Sequence, residues 1–163
     1  MSTLSSSRTI TVSPLVANQL PVIDFRSTDD HTDIDTLQHI YRASVKGSTH
    51  FFTPLGTKAW FESNGFASEH VTELDWWSER DLTLQLSSPV AGREPTKQDL
   101  RIVATPCQHF SGRSINDRCS TLWASWAVVQ EEKKGLKGGS VWFGGDTGFK
   151  SGQSTHFQRC DCH

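Results

Sequence analysis

The sequence predicts a mixed α/β fold whose second half is rich in strands. Three observations support this class. Residues 33–44 carry an apolar stripe at helical spacing, residues 81–86 and 122–129 alternate apolar and polar side chains, and the length of 163 residues is typical of one domain. Residues 1–20 are polar and rich in Ser and Thr, so we expect an irregular lead-in there.

The first predicted helix covers residues 33–44, DIDTLQHIYRAS. Thr32 followed by Asp35 approximates a capping box at its start, and Gly47 is a stop signal beyond its end. Its apolar face consists of Ile34, Leu37, Ile40 and Tyr41.

The second predicted helix runs from Leu55 to Asn64. Pro54 precedes it, at a position where the first helical turn tolerates proline. Gly65 follows it and is the residue type expected just past a helix end.

Short apolar or alternating segments predict the strands, and residues 88–99, with Pro, Gly and charges, are predicted to be a loop. The segment SVWF reads as a buried strand that runs into the turn GGDTG. The predicted strands are 50–53, 71–74, 81–86, 101–105, 122–129 and 140–143.

Composition narrows the choice of partners. Lys and Arg number 16 and Asp and Glu 18, so the net charge is −2 at pH 7. This near-neutral balance gives no electrostatic reason to expect nucleic acid as a partner. The mean hydropathy is −0.45, and the apolar runs are far shorter than the ~20 residues that a membrane-spanning helix needs.

The N-terminal segment bears on location. It lacks the apolar run of a secretory signal, so we do not expect secretion, and a cytoplasmic or peripheral-membrane location is expected. Arg8 and the absence of acids among the first 20 residues also leave a mitochondrial presequence open.

Cysteine and tryptophan contents carry further expectations. Four cysteines in a chain of this length, without a secretory signal, do not predict a disulfide framework. Six tryptophans need either a core or a ligand surface to cover them. At strand and helix positions they are more often core, and a lipid-facing or partner-facing role stays open.

Two strand ends carry residues suited to metal chemistry. The strand 101–105 leads to His109, and the strand 140–143 leads to Asp146 between glycines. Loops at strand ends can bring such side chains to one point, as in metal sites built on sheets. Each residue alone also has a plain structural explanation, as a hydrogen-bonded His or as an Asp that caps a turn.

Taken with their neighbours, these segments resemble a known family. The string ATPCQHFSGRSINDRCSTLWASWAV followed by GGSVWFGGDTGF is similar to the metallo-β-lactamase superfamily, and most similar to its N-acyl-phosphatidylethanolamine-hydrolysing phospholipase D branch. Upstream, FFTPLG and ELDWW resemble motifs of the same branch. The resemblance implies an αββα sandwich.

The resemblance also implies a site with two zinc ions and a bridging hydroxide. His109 would be a ligand of the first zinc, and Asp146 the carboxylate between the two metals. Two zinc ions would neutralise a phosphodiester, activate a bound water and stabilise the attacking and leaving oxygens. The implied substrate is a phospholipid, which would be split into an N-acylethanolamine and phosphatidic acid.

The family's H-x-H-x-D-H motif is degraded here. Aligned on the helix that begins DIDTL, Asp30 and His31 match the last two residues of the motif, whereas Arg26 and Thr28 take the places of its first two histidines. A cationic Arg cannot coordinate zinc. Another register would place Asp30 on the second His and Thr32 on the Asp. The implied metal ligands are therefore Asp30, His31, His109 and Asp146, of which Asp30 and Asp146 are also the candidate catalytic residues.

The ends of the chain also depart from the family pattern. We expect residues 21–149 to be a partial metallo-β-lactamase-like domain without its first strands and its C-terminal half, and residues 150–163 to be an unrelated, disordered tail. The tail residues His156, Cys160, Cys162 and His163 could also be read as a soft-metal cluster.

Three hypotheses follow from the sequence. The chain is a zinc phosphodiesterase of this branch, or a catalytically silent fragment of one, or a binding module that uses its Trp-rich half. The sequence leaves the oligomeric state and the identity of the substrate open.

Overall fold

The computed structural model describes residues 10–12, 22–25, 33–44, 48–86, 96–107, 121–132, 137–145 and 147. The elements in these residues confirm the mixed α/β class. In chain order they are β1 (Ile10–Val12), β2 (Val22–Phe25), α1 (Ile34–Ala43), β3 (Thr49–Pro54), α2 (Lys58–Ser63), a 3₁₀ turn (Ser68–His70), β4 (Val71–Leu74), β5 (Glu79–Leu86), β6 (Thr96–Thr105), β7 (Ser125–Gln130) and β8 (Gly139–Phe143).

The strands form two sheets. The smaller sheet has the order β2-β3-β4 and is parallel throughout. The larger sheet has the order β1-β5-β6-β7-β8, in which β1 runs parallel to β5 and every other pair is antiparallel. In the described residues β3 is therefore a central strand and β8 an edge strand.

The main hydrophobic core lies between the two sheets. Alternate residues of each strand point to opposite faces, so one face of each sheet can be apolar. The smaller sheet contributes Phe52 and Leu74, and the larger sheet contributes one apolar row from each of its three middle strands. The buried members of these rows are Leu82, Leu84, Ile102, Ala104 and Trp126, and Ala124 joins them from just before β7.

A second core lies between the smaller sheet and the helices. Phe51 and Val71 of the sheet pack with Leu37 of α1, Phe61 of α2 and Phe66. The rings of Phe51 and Phe61 have centroids 5.2 Å apart. The order is thus helices, smaller sheet, larger sheet, which agrees with the expected layered sandwich.

The start of α1 differs by one residue from the prediction. The N-cap is Asp33, whose carboxylate accepts from the Asp35 N–H at 3.2 Å and from the Thr36 hydroxyl at 2.5 Å. An Asp satisfies free amides of the first turn better than Thr32 could from one position earlier. The helix ends at Ala43, and the N–H of Ser44 donates to the Ile40 oxygen.

The predicted second helix is shorter than expected. Pro54 is the last residue of β3 rather than a residue of the first helical turn, and α2 begins only at Lys58. The Lys58 N–H donates to the Glu73 carboxylate, so the helix start is fixed by β4. Gly65 lies after the helix end with φ = +88°, as the sequence predicts.

The strands confirm most of the predicted segments, with three corrections. The predicted strand 122–129 begins only at Ser125. Residues 96–99 belong to β6 and not to the predicted loop 88–99, because they pair with β5 from Thr83 to Leu86. The segment 140–143 is a strand, but it is not buried, since every residue of β8 is exposed.

The tryptophans divide between core and surface. Trp123 and Trp126 are buried, and Trp60 and Trp76 are half-buried. Trp77 and Trp142 are exposed. The expectation of a core role therefore holds for part of the set.

The predicted domain boundaries stay predictions. Within residues 1–20, which we expected to be irregular, β1 pairs with β5, and the segment 150–163 lies outside the described residues. No helix in the part of the chain that the structure describes is long and apolar enough to cross a membrane.

Candidate active site

All four predicted site residues lie outside the described part of the chain, but the elements that flank them are described. Asp30 and His31 fall between β2 and the N-cap Asp33. His109 follows Cys107 by two residues, and Asp146 lies between Gly145 and Thr147. Their side-chain positions therefore stay predictions, whereas the points at which their segments leave the fold are known.

In the smaller sheet the carboxyl ends of the strands lie together, because all three strands are parallel. Phe25, the last residue of β2, pairs with Phe52 of β3. Pro54, the last residue of β3, pairs with Leu74, the last residue of β4. The segment that carries Asp30 and His31 therefore leaves from this edge.

In the larger sheet the ends of β6 and β8 lie at the same edge, on either side of the start of β7. Thr105 ends β6 and pairs with Ser125, which begins β7. Phe143 ends β8 and pairs with Trp126. The segments that carry His109 and Asp146 consequently leave from the same edge of this sheet, from the two strands that flank β7.

Hydrogen bonds join these two edges into one. The Leu122 N–H donates to the Leu55 oxygen at 2.8 Å, and the Trp77 N–H donates to the Ala104 oxygen at 2.7 Å. The Trp76 indole N–H donates to the Trp123 oxygen at 2.6 Å. The ends of β2, β3, β4, β6 and β8 thus form one continuous border, which we call the carboxyl edge.

Two indoles and a serine fix the backbone where the segments of His109 and Asp146 begin. The Trp123 indole N–H donates to the Cys107 oxygen at 3.0 Å. The Trp142 indole N–H donates to the Thr105 hydroxyl at 3.2 Å, and the Ser125 hydroxyl donates to the Gly144 oxygen at 2.8 Å. The sequence pattern gave no signal for these contacts, because each joins residues that are 16 or more positions apart.

Cys107 is the described thiol nearest to this start, but it is not poised as a metal ligand. Its side chain is buried, and burial raises the pKa of the thiol, an effect that a hydrogen bond with Ser125 partly opposes. A thiol must lose its proton to bind zinc. We therefore assign Cys107 a packing role.

His50 is also separate from the carboxyl edge. It lies four residues before Pro54 on β3, roughly 13 Å away at the rise of a strand. Its Nε2 is 2.9 Å from the Thr72 hydroxyl. Burial, followed by the charges of His70 and Lys58, lowers the pKa of His50 to about 4, so the ring is neutral at pH 7.

The donor types of the predicted site fit zinc only in part. His31 and His109 offer nitrogen, and Asp30 and Asp146 offer oxygen, which are ligand types that zinc accepts. Within the described ranges, no group of three His, Cys, Asp or Glu side chains could hold a metal ion. Any zinc site must therefore include residues outside the described ranges, where the four predicted ligands lie, and Arg26 offers no electron pair to a zinc ion.

Comparison with known proteins identifies the family. The family model described as "Beta-lactamase superfamily domain" matches residues 27–163. The N-acyl-phosphatidylethanolamine-hydrolyzing phospholipase D 1 of Caenorhabditis elegans is 29% identical over 143 residues, which are 83% of this chain and 35% of that protein. An uncharacterized protein of Mycobacterium tuberculosis is 35% identical over 123 residues, which are 74% of this chain and 26% of that protein.

A third relative, from Saccharomyces cerevisiae, is named N-acyl-phosphatidylethanolamine-hydrolyzing phospholipase D, mitochondrial. It is 33% identical over 121 residues, which are 74% of this chain and 21% of that protein. The chain thus spans about a third or less of the length of these relatives. The family match and the layered fold agree with each other, and the chain belongs to the metallo-β-lactamase superfamily.

Proposed function

We propose that this chain is a zinc-dependent phosphodiesterase that hydrolyses N-acyl-phosphatidylethanolamine to an N-acylethanolamine and phosphatidic acid. One observation carries the proposal: the segments with Asp30, His31, His109 and Asp146 all leave from the carboxyl edge. Two of the relatives are named for this hydrolysis, and that activity is brought to this chain only as a proposal.

The four residues have distinct roles in the proposal. Asp30, His31 and Asp146 would hold one zinc, and His109 would, with Asp146, hold a second. Bound zinc would supply a water of lowered pKa and positive charge for the phosphodiester. The carboxylates of Asp30 and Asp146 would orient a water and accept a proton there.

Hydrolysis and metal content test this proposal directly. The purified chain, reconstituted with zinc, should release N-acylethanolamine from detergent-dispersed substrate faster than a zinc-only blank. His109→Ala and Asp146→Ala should each lower the rate at least tenfold, since each removes a metal ligand. His39→Ala and Asp99→Ala are matched controls, because His39 is exposed on α1 and Asp99 is exposed in the middle of β6. Equal rates for His109→Ala and wild type would refute the proposal.

A second candidate is a catalytically silent member of the same superfamily. Arg26 and Thr28 stand where the resemblance places two histidines of the first metal position. A site with His109 and Asp146 as its only ligands would hold that zinc weakly. In this form the chain binds one zinc at most and does not hydrolyse the lipid.

Restoring the two histidines separates the candidates. In the double variant Arg26→His, Thr28→His, a silent chain should gain zinc, from at most one equivalent toward two, and should gain hydrolysis with it. An active chain should already show hydrolysis before the change. Zinc is counted by atomic emission after dialysis, with Lys97→His as a control for the mere addition of a histidine at an exposed site.

A further inference from the structure

The Ser125 hydroxyl links the two places from which the segments of His109 and Asp146 leave. It donates to the Gly144 oxygen at 2.8 Å, and a hydrogen bond also joins it to the Cys107 thiol. A serine hydroxyl has one proton to donate, so its oxygen accepts from the thiol while it donates to Gly144. These two hydrogen bonds form a chain that runs from just after β6, across β7, to just after β8.

The two ends of this chain of hydrogen bonds stand at equivalent places in the sequence. Cys107 is two residues before His109, and Gly144 is two residues before Asp146. Two residues of extended backbone span about 7 Å at most, and the strands that flank β7 are about 10 Å apart. Each predicted ligand therefore stays within reach of a point between these strands, as long as Cys107 and Gly144 are held in place.

The backbone on both sides of Asp146 is held close to the end of β8. Gly145 has φ = +58°, in the left-handed region that favours glycine. A Cβ on Gly144 would lie 3.3 Å from the Thr147 methyl carbon, so the chain returns toward Gly144 within three residues. The same Cβ would lie 2.7 Å from the Trp142 ring, so a larger residue at position 144 would displace that ring.

The backbone that leads to His109 is held from β7 as well. The Trp123 indole N–H donates to the Cys107 oxygen at 3.0 Å. Cys107, Trp123 and Ser125 are all buried, and a hydrogen bond shielded from water is electrostatically stronger than an exposed one. Since Ser125 contacts both Cys107 and Gly144, one hydroxyl sets how the two segments start relative to each other.

We propose that Ser125 is a positioning residue that sets the separation of His109 and Asp146, and that Trp123 supports it on the His109 side. This inference rests on the proposed function, in which these two predicted ligands share a zinc. In this role Ser125 touches neither substrate nor metal and acts through the backbone that leads to the ligands. Loss of a group that orients metal ligands typically lowers metal affinity or activity by about 10- to 100-fold.

Zinc affinity and hydrolysis test the inference in the zinc-loaded chain. Ser125→Ala removes the hydroxyl but keeps the pairing of β7 with both neighbours, which depends on backbone groups. It should weaken zinc binding, measured by competition with a chromophoric chelator, by about tenfold, and lower kcat to a similar extent with little change in KM. Ser125→Thr keeps the hydroxyl and should retain most of the affinity.

Ser48→Ala is the matched control for this substitution. Ser48 is also a buried serine, but it lies just before β3, at the end of that strand away from the carboxyl edge. It should leave zinc affinity, kcat and KM unchanged, even where it lowers the melting temperature. A loss of zinc affinity in Ser48→Ala as large as that in Ser125→Ala would overturn the inference, because general destabilisation would then explain both.

Hydrogen exchange tests the inference without zinc. In the chelator-treated full chain, exchange followed by mass spectrometry should become about threefold faster or more in Ser125→Ala for the amides just after Cys107 and just after Gly144. Trp123→Phe keeps a ring in the core but loses the indole donor, so it should speed up exchange after Cys107 alone. Trp60→Phe is its control, since Trp60 packs in the helix layer.

Unchanged exchange after both Cys107 and Gly144 in Ser125→Ala would overturn the inference. If Ser125→Ala does not fold, Trp123→Phe decides, and unchanged exchange after Cys107 in that variant would overturn it. A wild type that neither binds zinc nor hydrolyses detergent-dispersed lipid would refute the proposed function. Exchange in the metal-free chain would still decide whether Ser125 holds the two segments, so the two failures give different results.

Discussion

Strands β3 and β8 both carry adjacent large apolar side chains, but their surroundings are opposite. Both are short, with the sequence THFFTP in β3 and GSVWF in β8. Every residue of β3 is buried, whereas every residue of β8 is exposed. The difference comes from position, since β3 lies between β2 and β4, with the helices on one face and the larger sheet on the other.

The comparison shows what an apolar strand signal means in this fold. A run of apolar residues indicates a strand that is suited to burial, but neighbours in the sheet decide whether it is buried. In β8, Val141 and Phe143 share a face with the buried Trp126 row of β7, and Trp142 lies on the other face. Neither face of this strand is covered by residues that the structure describes.

The largest expected effect is a contrast between one phenylalanine of each strand. Phe52→Ala removes a fully buried ring from the core between the sheets, which should lower the free energy of unfolding by about 3–5 kcal/mol. Phe143→Ala removes a half-exposed ring at an edge and should cost less than about 1 kcal/mol. Urea denaturation, followed by far-ultraviolet circular dichroism, measures both.

Similar costs at the two positions would break this contrast. A cost at Phe143 that matched the cost at Phe52 would mean that β8 is covered in the folded protein. Phe51→Ala provides an internal comparison, because Phe51 is equally buried but faces the helices. It should cost about as much as Phe52→Ala.

A smaller effect is expected from pH, through His50 of β3. Its pKa is lowered to about 4, mainly by burial, and the unfolded chain titrates near the ordinary histidine pKa of 6.5. Above pH 6.5 both states are neutral at this residue, and the full stability is present. As the pH falls from 6.5 toward 4, the unfolded state gains a proton that the folded state does not, so stability is lost, by up to about 3 kcal/mol.

Thermal melts between pH 7.5 and 4 check the pH prediction. His50→Asn should flatten the decline in this window, although it also costs stability at pH 7.5, because it disturbs the contact with Thr72. His39→Asn is the matched control, since His39 is exposed on α1, and it should leave the profile unchanged. A profile that His50→Asn does not alter would show that other groups cause the decline.

The contrast between β3 and β8 shows that neighbours in the sheet decide burial. This dependence limits how far the sequence alone can predict the fold. The sequence predicts α1 and β5 because each carries a clear periodicity, and it predicts β3 and β4 as short segments between turn signals. The start of β6 is not predicted, because residues 96–99, TKQD, are polar and form a strand only through pairing with β5. Local sequence could not indicate that Pro54 ends a buried strand instead of starting a helix.

The candidate site was predictable as a set of residue types but not as an arrangement. Motif resemblance named Asp30, His31, His109 and Asp146, and their positions stay predictions. The bonds that join the two sheets at the carboxyl edge, through Trp76 and Trp123, depend on residues 47 positions apart. The backbone of Trp77 also left no signal, since nothing about an Asp-Trp-Trp-Ser segment predicts a left-handed Trp.

A modest effect on the free energy of unfolding is expected at the start of α1, one of the helices that cover β3. Asp33→Ala removes the side chain that accepts from the Asp35 N–H and the Thr36 hydroxyl, and it should lower the free energy of unfolding by about 1 kcal/mol. Asp33→Asn should retain most of that contribution, because Asn caps a helix about as well. Thr32→Ala tests the alternative cap and should be neutral. If Thr32→Ala cost more than Asp33→Ala in urea denaturation, the assignment of the cap would be wrong.

The smallest effect on the free energy of unfolding is expected on the outer face of the larger sheet. Charged side chains lie on this face, in place of packed apolar ones. Arg101 donates to Asp81 at 3.1 Å and also pairs with Glu131 at 3.2 Å and Glu79 at 3.8 Å. The side chains of all four residues are more than a third exposed, so water and salt screen these pairs.

Arg101→Gln should therefore cost less than about 1 kcal/mol, and the cost should shrink further at high salt. Chemical denaturation at low and high sodium chloride measures this, with Arg101→Lys as the variant that keeps the charge. A loss of more than about 2 kcal/mol that salt did not reduce would mean that this face is buried in the folded protein. Both faces of the larger sheet would then be covered, as both faces of β3 are. The exposed strand in the contrast would be β8 alone.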